Sequence, residues 1–196
     1  MKVVTTLTGT RPLLLHNVQL ADPDNRWTKQ IAQVTRKRTK TEEDRKQISD
    51  LEWEGSLYIH DGVISIPCAN VLRSFVETAK IRKQGKTITR ALTPTELSVP
   101  LVYTGPQDLK ELRRKPEFRD MAMVRVGTQR VLRTRPIFRT WGLLLEWELL
   151  TEVLDFSEFE GIVIQAGRVE GLGDNRLNGY GRFSAEVVEA SMRKAA

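Results

Sequence analysis

A glycine-rich segment near the end of the chain, residues 171–183, constrains the fold more than any other stretch. Its sequence, GLGDNRLNGYGRF, places two Gly-apolar-Gly triplets on either side of five residues that are mostly polar. An amphipathic segment precedes it, and an alternating apolar-polar run from Phe183 to Val188 follows it. This order predicts a helix, then a glycine-rich loop, then a strand.

The loop is also a candidate anion site. Glycine permits positive φ and leaves peptide N–H groups uncovered, so a phosphate can approach without meeting a Cβ. Arginine side chains in the loop add positive charge beside those amides. The predicted phosphate-binding residues are Gly171, Gly173, Arg176, Gly179, Gly181 and Arg182. The pattern does not match the dinucleotide-binding fingerprint, because it does not open a helix after a first strand. The alternative is a tight connection whose glycines only relieve steric crowding.

Hydrophobic periodicity predicts the other elements of the fold. The predicted strands are residues 3–7, 57–59, 63–66, 121–135, 138–151 and 183–188, and the predicted helices are residues 71–79 and 156–166. Asp61-Gly62 is expected to form a hairpin turn between residues 57–59 and 63–66, and Asn70 is expected to cap the helix that follows. Residues 121–135 and 138–151 are expected to be adjacent antiparallel strands. Without the hairpin and the insertions, the order is βαββαβ, which is an α+β class with a ferredoxin-like or RRM-like topology.

The length and composition suit one domain with insertions. At 196 residues and 40% hydrophobic content, the chain can bury a core over residues 1–196. Residues 22–50 are rich in charge and predict a charged insertion, whereas residues 83–118 contain several prolines and predict a thumb-like insertion. No apolar run approaches membrane-spanning length, so we expect a cytoplasmic protein that has no membrane partner.

The charge balance favours an anionic partner. The chain has 31 Lys and Arg against 25 Asp and Glu, a net charge of +6. Two concentrations stand out, one around Lys83 and Lys86 between residues 80 and 90, and one that includes Arg125 and Arg133. Both suit contacts with phosphates. With a single cysteine, an intrachain disulfide and a thiolate zinc cluster are excluded.

Three segments resemble the RAMP superfamily, the ferredoxin-like RNA-binding proteins of CRISPR systems. The glycine-rich segment is similar to their glycine-rich loop, and residues 66–73, IPCANVLR, are similar to the isoleucine-proline loop and following helix of backbone subunits in type III-like effector complexes. Residues 12–17, PLLLHN, resemble a segment after the first strand. The usual Gly after Ile-Pro is Cys68 here, and a glycine expected near Asn17 is absent. The second match makes Asn70 and Arg73 candidate nucleic-acid contacts.

The resemblance also implies candidate catalytic residues. Backbone subunits of this kind cleave RNA with an aspartate in a loop soon after the first strand, assisted by a metal ion, and Asp24, with Asp22 beside it, lies in that region. Some RAMP nucleases use a histidine as a general acid or base, a role open to His16. The same aspartates form a good turn or helix start, and a structural role is open to His16. No cofactor is expected, and Mg²⁺ is expected only for a nuclease.

The sequence therefore predicts a protein that binds single-stranded RNA, with DNA as an open alternative, through its sugar-phosphate backbone. The resemblance implies a backbone subunit of a CRISPR-like complex that forms a homo-oligomer along the strand and contacts other effector subunits. Two alternatives remain open. One is a metal-dependent RNA endonuclease of the same superfamily, and the other is a protein-interaction module such as a phage-encoded mimic.

Overall fold

The computed structural model describes residues 1–192, so residues 193–196 of the predicted domain lie outside the described residues. The strands in chain order are β1 (Lys2–Gly9), β2 (Leu13–Leu14), β3 (Ile59–His60), β4 (Val63–Pro67), β5 (Leu92–Pro94), β6 (Ser98–Pro100), β7 (Val102–Tyr103), β8 (Arg119–Val126), β9 (Gln129–Phe138), β10 (Trp141–Leu149) and β11 (Phe183–Glu189). The α-helices are α1 (Arg26–Thr35), α2 (Glu42–Gly55), α3 (Cys68–Lys80), α4 (Gly85–Ala91), α5 (Leu109–Arg114) and α6 (Phe156–Val169).

The chain divides into two compact units, and unit 1 carries the main sheet. Unit 1 comprises residues 1–13, residues 59–104 and the chain from Arg139 to the end of the described residues. Its sheet has the strand order β11-β1-β10-β5, and β7 also pairs with β10. All these pairings are antiparallel. Along the chain, the four strands β1, β5, β10 and β11 and the two helices α3 and α6 occur in the order β1, α3, β5, β10, α6, β11, which is βαββαβ.

Strand β10 organises the core of unit 1. The predicted alternation is confirmed: Trp141, Leu143, Leu145, Trp147 and Leu149 are buried, whereas Leu144, Glu146 and Glu148 of the same strand are less buried or exposed. The helices α3 and α6 supply the facing layer, since the Phe75 ring lies 5.7 Å from that of Trp147 and 6.2 Å from that of Phe159. Tilted aromatic contacts of this kind bury large apolar areas and fix the two helices against the sheet.

One prediction about the sheet is wrong. Residues 121–135 do not lie beside 138–151 in the main sheet; β8 and β9 pair with each other, and β2 lies on the other side of β9. The neighbour of β10 is the short strand β5, which falls within the predicted thumb-like insertion. Three residues are too few to show alternation, and Pro94 argues against a central strand. At the edge of this sheet, however, a missing N–H is tolerated.

The predicted hairpin is confirmed, but the predicted cap is wrong. Ile59 pairs with Ile64 and His60 with Val63, and the turn residues Asp61 and Gly62 both have positive φ. Such a turn matches the twist of a two-residue hairpin. Helix α3 begins at Cys68 directly after Pro67, and no side chain caps it. Asn70 is therefore an exposed residue of the first helical turn. The Cys68 amide instead donates to the Leu97 carbonyl at 3.0 Å, so backbone from another segment satisfies one amide of the first turn.

Unit 2 comprises residues 14–58 and 105–138. Helix α2 packs along β9, and Trp53 in its last turn is fully buried, with its Nε1 donating to the Phe118 carbonyl at 2.8 Å. Thr41 and Asp44 form a capping box at the start of α2. The Lys37 side chain donates to the Asp44 carboxylate, which lowers the pKa of that group. The reciprocal cap explains why a helix forms directly after a basic run.

The α+β class predicted from the sequence is confirmed by helices and antiparallel sheets in the same chain. The finer ferredoxin-like or RRM-like assignment stays a prediction. The predicted insertion over 22–50 lies within unit 2, whereas residues 83–118 divide between the units at residue 104. Within residues 1–192, no helix combines the length and the apolar character needed to cross a membrane.

Candidate nucleic-acid interface

The glycine-rich loop, residues 171–183, is closed by hydrogen bonds within the protein. The amide of Gly171 donates to the Ala166 carbonyl at 2.8 Å, which ends α6. The Leu172 amide donates to the Gly181 carbonyl at 2.9 Å, and the Gly181 amide donates to the Pro12 carbonyl at 2.8 Å. These bonds join the two Gly-apolar-Gly triplets to each other and to the segment between β1 and β2. Most of the amides expected to face a phosphate therefore already have acceptors.

The glycines of the loop solve a steric problem. Gly181 has φ +67°, and a Cβ at this position would overlap the Leu172 carbonyl oxygen. Gly179 also has positive φ, but a Cβ there would meet nothing within 4 Å, and its amide donates to the Arg176 carbonyl at 2.9 Å. Only the Gly173 amide, among the loop glycines in the described part of the chain, has no acceptor. The expectation that the glycine amides stay uncovered is therefore not met for Gly171, Gly179 and Gly181.

The arginines of the loop are partly engaged. Arg176 Nη1 lies 2.6 Å from Glu170 Oε1 in a half-buried ion pair. Arg182 Nη2 donates to the Arg176 carbonyl at 3.3 Å, and its Nη1 is buried without a hydrogen-bond partner. An unpaired buried guanidinium N–H is unfavourable. That atom is buried, so Arg182 has an unsatisfied N–H but does not present it to an anion at the surface.

Unit 1 also has a basic groove between α3 and α4, called the α3–α4 groove below. It is an open cavity of about 460 Å³ lined by Val76, Lys80, Lys83, Gly85, Lys86, Thr89 and Arg90. The turn that joins the helices reverses at Lys83, which has φ +61°. Its amide donates to the Lys80 carbonyl at 2.9 Å, and this closes the turn. The two helices thereby present their cations to one cavity.

No acidic residue lines this groove. Among the described residues, Lys83, Lys86 and Arg90 are exposed and form no ion pair. Exposed like charges repel one another, and only salt screens that repulsion in the free protein. A groove of this kind favours an anion that can contact several cations at once, such as a run of phosphates.

Glu77 is a carboxylate that pairs with a lysine of the groove. Lys80 Nζ lies 2.8 Å from Glu77 Oε1, and Arg73 Nε lies 4.0 Å from the same atom. The hydrogen bond from Lys80, with smaller contributions from Arg73 and Arg176, lowers the pKa of Glu77. Glu77 thus holds three cations near one end of the groove. Sequence reasoning missed this role, although the i,i+3 and i,i+4 spacings to Lys80 and Arg73 indicated it.

The structure brings some of the predicted site residues together. Lys83 and Lys86 line the same groove, and Arg73 and Arg176 both act on Glu77 beside it. Asn70 lies exposed on α3, one turn before Arg73. Lys80 and Arg90 belong to the groove as well; they lie in the basic run that the sequence showed, but only the geometry distinguishes them as lining residues.

The predicted arginines of unit 2 have different roles. Arg133 Nη1 lies 2.5 Å from the Glu52 carboxylate, which is 4% exposed and also accepts from the Thr134 amide at 2.9 Å. This ion pair attaches β9 to α2, and without Arg133 the buried Glu52 carboxylate would lose the cation that compensates its charge. Arg125 is exposed opposite Arg130 on the hairpin, and its Nε donates to the Gly127 carbonyl at 3.0 Å. Of the two predicted residues, Arg125 is the one that forms no ion pair within the described part of the chain.

The candidate catalytic residues do not form a metal site in the described part of the chain. The Asp22 carboxylate accepts from the Asp24 amide at 2.9 Å, and Asp24 forms an exposed ion pair with Lys29. His16 is exposed, and its carbonyl accepts from the Tyr58 hydroxyl. Among residues 1–192, no three His, Cys, Asp or Glu side chains are placed to hold a metal ion. The turn observed here matches the structural alternative for these aspartates, and RNA cleavage stays a prediction.

The single cysteine has no chemical role in the interface. Cys68 is buried at the start of α3, and burial raises the pKa of its thiol to about 11. At neutral pH the thiol is therefore protonated and packs as a small apolar side chain.

Comparisons with known proteins add a distant structural similarity. No known protein family matches the sequence, and no curated protein matches it. Among solved structures, a chain of a "Type IV-B CRISPR Complex" matches with 10% sequence identity and a TM-score of 0.48. The match covers 100% of this chain and 94% of the other. At that TM-score the similarity carries no functional argument.

Proposed function

We propose that this protein binds single-stranded RNA through its sugar-phosphate backbone and assembles in series along the strand as a backbone subunit of a CRISPR-like effector complex. The observation that carries the binding is the α3–α4 groove, where exposed cations converge without a lining carboxylate. The role in such a complex is supported by the three segments that resemble RAMP backbone subunits. Other effector subunits are the expected protein partners.

The lining of the groove favours contacts with phosphates over contacts with bases. It contains three lysines and one arginine, and it contains no aromatic side chain on which a base could stack. Its few other side chains offer one hydroxyl, from Thr89, and no carboxylate or amide that reads a base edge. Lysine and arginine on phosphates hold a strand in position without reading its sequence. The protein is therefore expected to bind strands of different sequence with similar affinity.

The proposal is tested by reversing charge in the groove. Lys83→Glu/Lys86→Glu is compared with Lys110→Glu/Lys115→Glu, which alters net charge equally at exposed positions outside the groove. Fluorescence anisotropy with labelled RNA of mixed sequence measures the affinity. We expect the groove variant to bind about 30-fold more weakly, since each lost contact and each new repulsion contributes on the order of 1 kcal/mol or less. The control is expected to lose less than about threefold.

Salt dependence separates phosphate contacts from other effects. For a single strand, the slope of log affinity against log salt is about −0.7 per phosphate contact, so losing two contacts makes it shallower by roughly 1.4. Equal losses in both variants would remove the groove from the interface. Undetectable binding of wild-type protein to RNA at low salt would overturn the proposed function and favour the protein-interaction module. Equal affinity for single-stranded DNA would overturn the assignment to RNA.

A further inference from the structure

A second groove, in unit 2, has a different character from the α3–α4 groove. It is a cavity of about 900 Å³ bounded by α2, α5 and the β8–β9 hairpin, and is called the α2–α5 groove below. Met121 and Leu132 line it, and they are 56% and 48% exposed. Met123 is paired across the hairpin with Leu132 and is 62% exposed. Large apolar side chains therefore remain uncovered in and beside the groove.

The charged residues around this apolar floor are only partly neutralised. Arg119 is paired with Asp50, and Arg113 is paired with Glu54. Arg45, Lys46 and Arg114 also line the groove, and they form no ion pair among the described residues. Glu42 and Glu43 lie at the N-terminal turn of α2, where their charge is favourable for the helix. The lining has five cations against three carboxylates, so the groove keeps a net positive charge.

The lining favours a polypeptide rather than a nucleic acid. Unlike the α3–α4 groove, this groove is lined by three carboxylates, Glu42, Glu43 and Asp50, which repel a run of phosphates. Methionine and leucine instead accept aliphatic side chains of varied shape. A suitable occupant therefore has exposed aliphatic side chains flanked by carboxylates.

A segment of this chain has that chemistry. The turn between β10 and α6, residues 150–158 and called the acidic turn below, exposes Leu150 and Val153, which are 51% and 43% accessible. Glu152, Asp155 and Glu158 of this turn are exposed. The sequence has no Lys, Arg or His between residues 141 and 167. The acidic turn is therefore apolar and negative where the α2–α5 groove is apolar and positive.

The acidic turn is also ordered before any partner binds. The amides of Val153 and Leu154 donate to the Leu150 carbonyl at 3.0 and 3.1 Å, and the Leu150 amide donates to the Ala91 carbonyl at 2.8 Å. Leu154 is 1% exposed and anchors the turn in unit 1. Because its conformation is fixed, little conformational entropy is lost when it docks.

We propose that the α2–α5 groove binds the acidic turn of a second copy of this chain. The two surfaces differ, so the contact is heterologous, and every copy that is bound through its groove still offers its acidic turn to another. This contact uses protein surfaces alone and does not require RNA. It provides a physical basis for the serial assembly in the proposed function, but it stands or fails independently of RNA binding.

A charge exchange between two variants tests the contact. The groove variant is Arg45→Glu/Arg114→Glu, and the turn variant is Thr151→Lys/Glu152→Lys; all four positions are exposed. Sedimentation velocity of nuclease-treated protein, over a range of concentrations, measures self-association. We expect the average mass of wild-type protein to rise with concentration. Each variant alone should associate at least about tenfold more weakly, because like charges then face each other.

The mixture of the two variants is the decisive measurement. The acidic groove of one variant matches the basic turn of the other, so an equimolar mixture should recover association that neither variant shows alone. Melting temperatures confirm that both variants are folded. Wild-type protein that stays monomeric at about 200 μM, variants that associate like wild type, or a mixture that stays monomeric would each overturn the proposal. Anisotropy with an RNA short enough for one subunit reports separately on the proposed function.

Discussion

The glycine-rich loop and the α3–α4 groove are both basic, and both have a composition that suits phosphates, but their polar groups are used differently. In the loop, the amides of Gly171 and Gly181 have acceptors, and Arg176 is paired with Glu170. In the groove, Lys83 and Lys86 form no ion pair with any carboxylate of the described residues. The loop therefore holds the end of α6 and the start of β11 together, whereas the groove holds charge that the fold does not use.

This difference shows which feature identifies a binding surface. Glycines and arginines in a motif can all serve the local backbone, as positions of positive φ or as hydrogen-bond donors within the protein. Their presence then does not indicate a ligand. Cations that converge on one cavity without a counter-charge are unfavourable in the free protein, and an anionic ligand removes that repulsion. The predictions that follow test whether the loop is structural and the groove functional.

The largest expected effect is on stability, from Gly181→Ala. An alanine at this positive φ is strained by roughly 1–2 kcal/mol, and its Cβ would also displace the Leu172 carbonyl. We expect the free energy of unfolding to fall by about 3 kcal/mol in urea denaturation. Gly179→Ala is the matched control, because its φ is also positive but its Cβ would have free space, and about 1 kcal/mol is expected. Equal losses would show that steric crowding in the loop does not matter.

Much of the fold could be predicted because its elements carry their own periodicity. The alternation of β10 and the buried face of α6, with Phe159, Ile162 and Val163, appear directly in the sequence. The partner of a strand does not appear there. Residues 121–135 alternate well, yet they pair within unit 2, while the three residues of β5 complete the main sheet. Strand pairing depends on contacts far apart in sequence, which local patterns do not specify.

The candidate binding site could also be predicted only in part. A basic run without carboxylates, around Lys83 and Lys86, indicated a surface that the fold does not neutralise, and this is what the groove contains. The sequence alone could not distinguish Arg133 from the available cations, because its ion-pair partner Glu52 lies 81 residues away. The pairing of each cation, rather than its presence, decides whether it is available, and pairing is a property of the folded chain.

A second, smaller effect concerns the arginines of the loop. Arg176→Gln/Arg182→Gln removes two charges, and Lys83→Gln/Lys86→Gln removes the same number from the groove. We expect the groove variant to bind RNA about tenfold more weakly in the anisotropy assay, and the loop variant to lose less than about threefold. Arg176 is paired with Glu170, and the unpaired Nη1 of Arg182 is buried, so neither charge is fully available to a strand. A tenfold loss in the loop variant would place the loop in the interface and remove the contrast between the two regions.

The smallest expected effect is a gain of affinity from Glu77→Gln. This change removes the carboxylate that engages Lys80 and attracts Arg73, so RNA should bind about twofold more tightly at low salt. Lys80 holds the pKa of Glu77 below its usual range. The carboxylate of Glu77 therefore stays ionised at pH 5. Its favourable contribution to folding is present above the pKa of the unfolded chain, and it disappears as the pH falls through the lowered pKa of the folded protein. Wild type and variant should consequently still differ at pH 5.

Glu186→Gln, an exposed change of equal charge on β11, is the control for Glu77→Gln. An equal gain of affinity in the control would show a general charge effect instead of release of the groove lysine.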